Sequence, residues 1–285
     1  MEQFTWNVKL YGSRGSTPVC ESGFQKYGGN TTCIYVDLLI NDRIKMVVIF
    51  DAGTGIRKLA SDIETGKIPQ ADFILLVFTH LHWDHIQGFP FFSPAFNPKQ
   101  KIGIVYPQKK FHIDEVKDLF ALQMQKEYFP VQLENMGANL EFIDYRDAEP
   151  ILSADGLVKF SYREHKHPGG AFSYRLEANG KSIVICTDLE HGKELDPKVI
   201  DFCKDADLLI HDAQYTEEEL ALHRGWGHSS FYQAIETAEL ANVQNLVLTH
   251  HDPSHNDTFL DAQEKECQKR FPNCQMAKEG LEFNI

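Results

Sequence analysis

Three imidazoles and one carboxylate stand within six positions in the segment Thr79-His80-Leu81-His82-Trp83-Asp84-His85. Zn²⁺ and similar divalent cations accept both ligand types, and a bound cation can acidify water or polarise an ester oxygen. The bland alternative is a polar surface loop that happens to be rich in histidine. An ordinary loop needs no such cluster, and a buried one would have to satisfy every imidazole.

Aiming four side chains at one point requires a rigid platform. Residues 73–78 (FILLVF), directly before the segment, form the fully apolar run expected of a buried strand. Upstream, 31–39 (TTCIYVDLL) and 43–50 (RIKMVVIF) are β-branched and apolar, and Asn41-Asp42 between them suits a tight reversal. Asp51-Ala52-Gly53-Thr54-Gly55 reads as a strand end turning into a short helix through Leu59. Further strands are expected over 102–106, 140–144, 157–163, 171–177, 182–187, 207–211 and 244–249, with a hairpin at Asn179-Gly180. Helices are expected over 111–122, 196–203 and 229–240. This alternation predicts an α/β architecture of two sheets with helices outside. No linker-like or low-complexity stretch and no internal repeat divides the chain, so residues 1–285 are expected to form one domain.

The chain carries 28 basic and 41 acidic side chains, a net charge of −13, with 42% hydrophobic content. That content can bury a substantial core, while the charge disfavours tight attachment to long nucleic acids or anionic membranes. A small anionic substrate stays open, because bound cations dominate the field of their own site. The N-terminal MEQFTWNVKLYG has no basic segment followed by an apolar run, and the run Phe73 to Phe78 is too short to cross a bilayer. Cys20, Cys33, Cys186, Cys203, Cys267 and Cys274 form no C-x-x-C pair. They read as ordinary thiols of a reducing compartment, which points to the cytoplasm.

The pattern H-x-H-x-D-H resembles the signature of the metallo-β-lactamase fold. Within that superfamily the chain is similar to the branch of tRNase Z-type and cyclic-nucleotide phosphodiesterases. The resemblance runs from Tyr11-Gly12-Ser13-Arg14-Gly15-Ser16 to His250-His251-Asp252-Pro253. It implies a four-layer αββα sandwich, an α/β fold, and two divalent cations per chain, with Zn²⁺ first and Mn²⁺ as the alternative. A homodimer also follows from resemblance alone.

The resemblance further implies how the remaining ligands are distributed. A histidine ahead of a strand is matched by His167, with His165 as its competitor. A strand-end aspartate is matched by Asp188, whose two oxygens can bridge cations as an imidazole nitrogen cannot. Taken alone, Asp188 would better suit a helix cap or a turn. A histidine after the last core strand is matched by His250, with His251 as its rival. One cation then falls to His80, His82 and His167 and the other to Asp84, His85 and His250, with Asp188 and a solvent-derived hydroxide shared. Two cations about 3.5–4 Å apart can clamp an in-line displacement at phosphorus. Gly225-Trp226-Gly227-His228-Ser229-Ser230 resembles the segment in which this branch carries a catalytic histidine, and Asp212 stands where an acidic partner is expected. His228 would be the general acid. Its bland alternative is a residue flanking a helix capped by Ser229.

Gly28-Gly29-Asn30-Thr31 reads as a structural turn, or as a hydrogen-bonding support for the metal loops through Asn30. Asp51 could brace those loops from behind. Arg14 could face a substrate phosphate or serve a structural role. Phe89, Phe91, Phe92 and Phe96 could stack on a base or pack in the core. His167 and Asp188 lie only 21 positions apart, whereas the tRNase Z enzymes that the chain resembles insert a long arm there to grip tRNA. The substrate implied is therefore a small phosphodiester, a 3′,5′-cyclic nucleotide first. Another ribosyl cyclic phosphate, an RNA 3′ end and a non-catalytic metal-binding sensor remain as alternatives.

Overall fold

The computed structural model describes residues 3–107, 112–154 and 156–285. The first sheet contains β1 (Phe4–Gly12), β2 (Cys33–Ile40), β3 (Arg43–Phe50), β4 (Phe73–Val77), β5 (Lys101–Tyr106), β6 (Asn139–Asp144) and β13 (Glu282–Asn284). The second contains β7 (Lys159–His165), β8 (Ala171–Ala178), β9 (Lys181–Cys186), β10 (Leu208–Asp212), β11 (Asn245–Thr249) and β12 (Cys274–Met276). Their spatial orders are β13-β1-β2-β3-β4-β5-β6 and β12-β11-β10-β9-β8-β7. In each sheet an antiparallel stretch gives way to a parallel one: β3 to β6 run parallel, as do β9 to β12.

Alternating side chains of the second sheet explain the layering. Ile183, Ile185, Leu208, Ile210 and Val247 join the core shared with the first sheet, whereas Val184, Cys186, Leu209, Leu246 and Leu248 join a separate core. Between the sheets, Phe50 meets Tyr174 at 5.4 Å and Tyr106 meets Phe172 at 5.6 Å. Among the helices, α1 (Ile56–Glu64) packs on β1 and α3 (Ile113–Gln123) on β6. Short α2 (Trp83–Ile86) follows β4, and α4 (Tyr145–Leu152) follows β6. On the second sheet, α5 (Pro197–Cys203) and α6 (Glu217–Leu222) precede α7 (Phe231–Leu240), which packs on β10 and β11; α8 (Asp257–Arg270) packs on β12. The result is the expected layered α/β sandwich.

Both predicted hairpins form. Asn41 and Asp42 have φ of 51° and 60°, and Asn179 and Gly180 have 49° and 73°, the paired left-handed conformations of a two-residue hairpin turn. Helix α3 occupies most of the expected 111–122; Phe111 itself lies outside the described residues. Helix α7 begins at Phe231, two residues later than expected, and its cap is Ser230 rather than Ser229. Ser230 Oγ accepts the Gln233 amide while the Gln233 side chain returns to the Ser230 amide, a reciprocal pairing that fixes the helix start. Among the described residues no helix is long and apolar enough to cross a membrane.

Candidate metal centre

Parallel strands of both sheets aim their carboxyl ends at one place, and open α/β sheets bind ligands at such ends. Strand β3 delivers Asp51, β4 delivers the 79–85 loop, β9 delivers Asp188, β10 ends in Asp212 and β11 delivers His250. Tyr174, from the second sheet, donates its hydroxyl to the Phe78 carbonyl at 2.8 Å, and the Phe172 amide donates to the Thr79 carbonyl at 2.9 Å. The loop is thereby locked to both sheets. At Gly53 an added Cβ would lie 2.6 Å from the Asp84 carbonyl, so the backbone comes as close as only glycine permits.

Histidine orientation follows from the outward-facing nitrogens. His85 Nδ1 donates to Asp51 Oδ2 at 2.8 Å, His167 Nδ1 to the Gly227 carbonyl at 2.8 Å, and His250 Nδ1 to Gln214 Oε1 at 3.0 Å. The Thr79 hydroxyl, which donates to Asp51 Oδ2, leaves its oxygen to accept His80 Nδ1 at 3.1 Å. With protons anchored outside, the opposite nitrogens present lone pairs inward. His167 Nε2 faces His82 Nδ1 at 3.0 Å and His85 Nε2 faces His250 Nε2 at 3.4 Å. Asp188 Oδ1 lies 3.1 Å from His250 Nε2 and 3.7 Å from His80 Nε2, and its Oδ2 lies 3.2 Å from His85 Nε2. Asp84 Oδ2 lies 3.2 Å from His250 Nε2 and accepts the Ser16 amide at 2.8 Å.

Facing lone pairs and two buried carboxylates require positive charge between them. His80 Nε2 and Asp188 Oδ2 are buried without a hydrogen-bond partner among the described residues. Burial opposes charge on His85 and His250. Asp188 and Asp84 nevertheless hold the former well above the ordinary imidazole value, and Asp188 leads in raising the latter to about 10. Burial also opposes ionisation of Asp84 and Asp188, yet His85 and His250 keep both far below the usual carboxylate range. His80, His82 and His167 are pushed down, chiefly by burial. The carboxylates thus draw positive charge to His85 and His250 while His80, His82 and His167 keep free lone pairs, and a donor set that recruits positive charge in this way fits divalent cations. Within it, the ligand atoms of His80, His82 and His167 lie within 4.8 Å of one another, as do those of Asp84, His85 and His250. Three central residues have left-handed backbones: φ is 61° at Asp51, 56° at Asp188 and 66° at His250.

His228 Nδ1 donates to Asp212 Oδ2 at 2.8 Å, and its ring stacks 4.8 Å from His250. Asp212 also accepts the amides of Ser229 at 2.7 Å and Asp188 at 3.1 Å. The competing histidines stand aside. His165 donates Nε2 to the Asp188 carbonyl at 3.1 Å and accepts the Ser173 hydroxyl on Nδ1 at 2.8 Å. His251 donates Nε2 to the Ala277 carbonyl at 2.8 Å.

Several residues left with two readings resolve to one. Arg14 is fully buried rather than presented to a substrate; it donates to the carbonyls of Gly28, Asp252 and His255 and so ties three loops together. Asn30 hydrogen-bonds Glu279 rather than the metal loop, and it is Thr31 Oγ1 that accepts the Thr54 amide. Phe89 and Phe92 are core residues, whereas Phe91 and Phe96 are exposed. Asp51 braces the loop as expected, accepting the Thr79 amide, the Thr79 hydroxyl and His85. Sequence reasoning does not find Gln214 or Glu190, because neither belongs to a pattern; only their strand-end and loop positions could have drawn notice.

Comparison with known proteins agrees with this geometry. A family model described as "Beta-lactamase superfamily domain" matches residues 47–251, from β3 through both metal-loop regions. Ribonuclease Z of Ligilactobacillus salivarius is 27% identical, over 90% of this chain and 92% of that relative. Among solved structures, the metallo-beta-lactamase fold protein YhfI from Bacillus subtilis superimposes with a TM-score of 0.70 at 18% identity, covering 99% of this chain and 100% of its own. The short form of human tRNase Z gives 0.64 at 18% identity, covering 97% and 98%. By its matched family model and by its fold, the chain belongs to the beta-lactamase superfamily.

Proposed function

We propose that the chain is a metal-dependent hydrolase of small phosphodiesters, with 3′,5′-cyclic nucleotides as the first candidates. In this reading His80, His82 and His167 would hold one divalent cation, zinc before manganese, and Asp84, His85 and His250 a second, with Asp188 serving both. Such ions, when bound, supply Lewis acidity toward phosphate oxygens and lower the pKa of coordinated water. The protein's own contribution is orientation and a proton. A water oxygen bonds to phosphorus and releases one proton to solvent, the bond from phosphorus to the ribose oxygen breaks, and that oxygen takes a proton from His228 Nε2, which solvent then returns. Asp212 holds the opposite nitrogen at 2.8 Å, which sets the ring's direction.

The observation that carries the reading is the Asp212–His228 pair set beside the inward-facing nitrogens: the His228 ring lies 5.3 Å from that of His167 and 4.8 Å from that of His250. The interval between His167 and Asp188 is a single hairpin of β8 and β9, and the net charge is −13. Both favour a small substrate. Cleavage at an RNA 3′ end is the second reading, favoured by the similarity to ribonuclease Z over 90% of the chain.

A panel of cyclic nucleotides, a 3′-extended RNA and bis(p-nitrophenyl) phosphate, assayed with wild type and His228→Ala, tests this. We expect cyclic-nucleotide turnover that collapses in the variant while metal content stays at about two per chain. Cleavage of the model diester with every cyclic nucleotide left intact overturns the substrate assignment. Faster cleavage of the RNA establishes the second reading.

A further inference from the structure

The turn that carries His228 closes around one carboxylate. Glu190 Oε2 accepts the backbone amides of both Gly225 and Gly227 at 2.9 Å. Gly225 and Gly227 have φ of 89° and 98°, and these left-handed backbones turn both N–H groups toward the same oxygen, an anion-holding arrangement of main-chain donors. Glu190 Oε1 accepts Lys166 Nζ at 2.6 Å, and the Glu190 amide donates to the Lys166 carbonyl at 2.9 Å. The carboxylate is only 6% exposed. Beside it, the Ser229 hydroxyl donates to the Leu189 carbonyl at 2.6 Å, and the Gly227 carbonyl accepts His167 Nδ1. One acidic side chain therefore links the strand-end turn after β9, the His167 loop and the His228 loop.

A carboxylate placed only to neutralise Lys166 would not need two main-chain donors on its other oxygen. A loop held only by Asp212 would be fixed at Ser229 and His228 but not at the glycines before them. We propose that Glu190 is a positioning residue for proton transfer: it sets where the His228 imidazole stands relative to the leaving oxygen. The inference rests on the reading of His228 as the proton donor. Without the Glu190 carboxylate, the buried Gly227 amide and the part-buried Gly225 amide lose their acceptor and the glycine turn relaxes. A displacement of about 1 Å at a catalytic group costs on the order of 10²-fold in rate.

That role has a signature which general damage lacks. An alkoxide leaving group needs a proton in the transition state, whereas p-nitrophenolate leaves without one. Wild type, Glu190→Gln, Glu190→Ala and His228→Ala are compared on a cyclic nucleotide and on bis(p-nitrophenyl) phosphate, with metal content and melting temperature recorded. We expect E190A to lower kcat on the cyclic nucleotide by roughly 10²-fold and on the activated diester by several-fold at most. Metal content should be retained. E190Q, which keeps an oxygen for the two amides, should fall between wild type and E190A, and it carries the test alone if E190A does not fold. Equal losses on both substrates overturn the proposal, as does cyclic-nucleotide turnover within about twofold of wild type while H228A discriminates between leaving groups. If H228A itself shows no leaving-group dependence, the proton-donor reading fails first and the inference falls with it.

Discussion

Asp212 Oδ2 lies 2.8 Å from His228 Nδ1, and Asp212 also binds the Asp188 amide. One carboxylate thus registers the proposed proton donor against the turn that presents a proposed metal ligand. Asp212→Asn keeps the shape but places an amide where an acceptor is needed. Turnover of alkyl diesters should fall by about 10²–10³-fold, with metal content preserved. Steady-state kinetics beside elemental analysis decides this; an unimpaired kcat would remove Asp212 from the chemistry.

Asp51 stands one step behind the proposed ligands, gripping His85 and the Thr79 main chain. Asp51→Ala should weaken metal affinity by about 10–100-fold, measured by competition with a chromogenic chelator. Activity should return at high metal concentration. Affinity equal to wild type would mean that His85 needs no brace.

Two glycines of one turn should respond differently. A Cβ at Gly227 would lie 2.2 Å from His167 Nδ1 and 2.4 Å from Pro168 Cδ, whereas at Gly225 it would meet nothing within 4 Å. Gly225→Ala meets only left-handed strain, about 1–2 kcal/mol. Gly227→Ala adds a clash against a ligand, so it should also lose bound metal. Denaturant melts and metal analysis separate the two; matching metal content in both variants would contradict the geometry.

His191 gives a pH dependence away from the ligands. Its Nδ1 accepts the Asp196 amide at 3.1 Å and its Nε2 meets Thr237 Oγ1 at 3.3 Å. Burial, reinforced by His211, pushes its pKa down to about 3. The native ring stays neutral while the unfolded chain takes up a proton below about pH 6.5. Its contribution to stability is therefore complete above that pH and is lost as pH falls toward 3, by at most about 1.4 kcal/mol per pH unit. Urea midpoints from pH 8 to 5 should fall less steeply for His191→Gln than for wild type. Parallel slopes would show that His191 does not titrate in this way.

The strands that carry the converging side chains were legible because each is a short, largely apolar run followed by polar residues: FILLVF before Thr79 and His80, SIVICT before Asp188, QNLVLT before His250. Helix α8 was not, because only Leu260 and Cys267 among its 14 residues are buried, too few to print a helical stripe. Strand β1 pairs on both sides with partners far along the chain, and local pattern does not announce such pairing. At the site, the side chains that converge could be read from motif spacing. Gln214, Glu190 and the Gly227 carbonyl could not, because they act through backbone geometry and long-range contacts that no spacing encodes.

The left-handed backbones at Asp51, Asp188 and His250 restrict which metals this scaffold could be re-engineered to prefer. Aspartate and histidine are among the few side chains that tolerate that conformation, together with asparagine and glycine. A cysteine introduced at 188 or 250 to favour softer ions would bring unrelieved main-chain strain along with its thiolate. Exchanges of ligand chemistry should therefore be easier at His80 and His82, where no left-handed turn stands in the way.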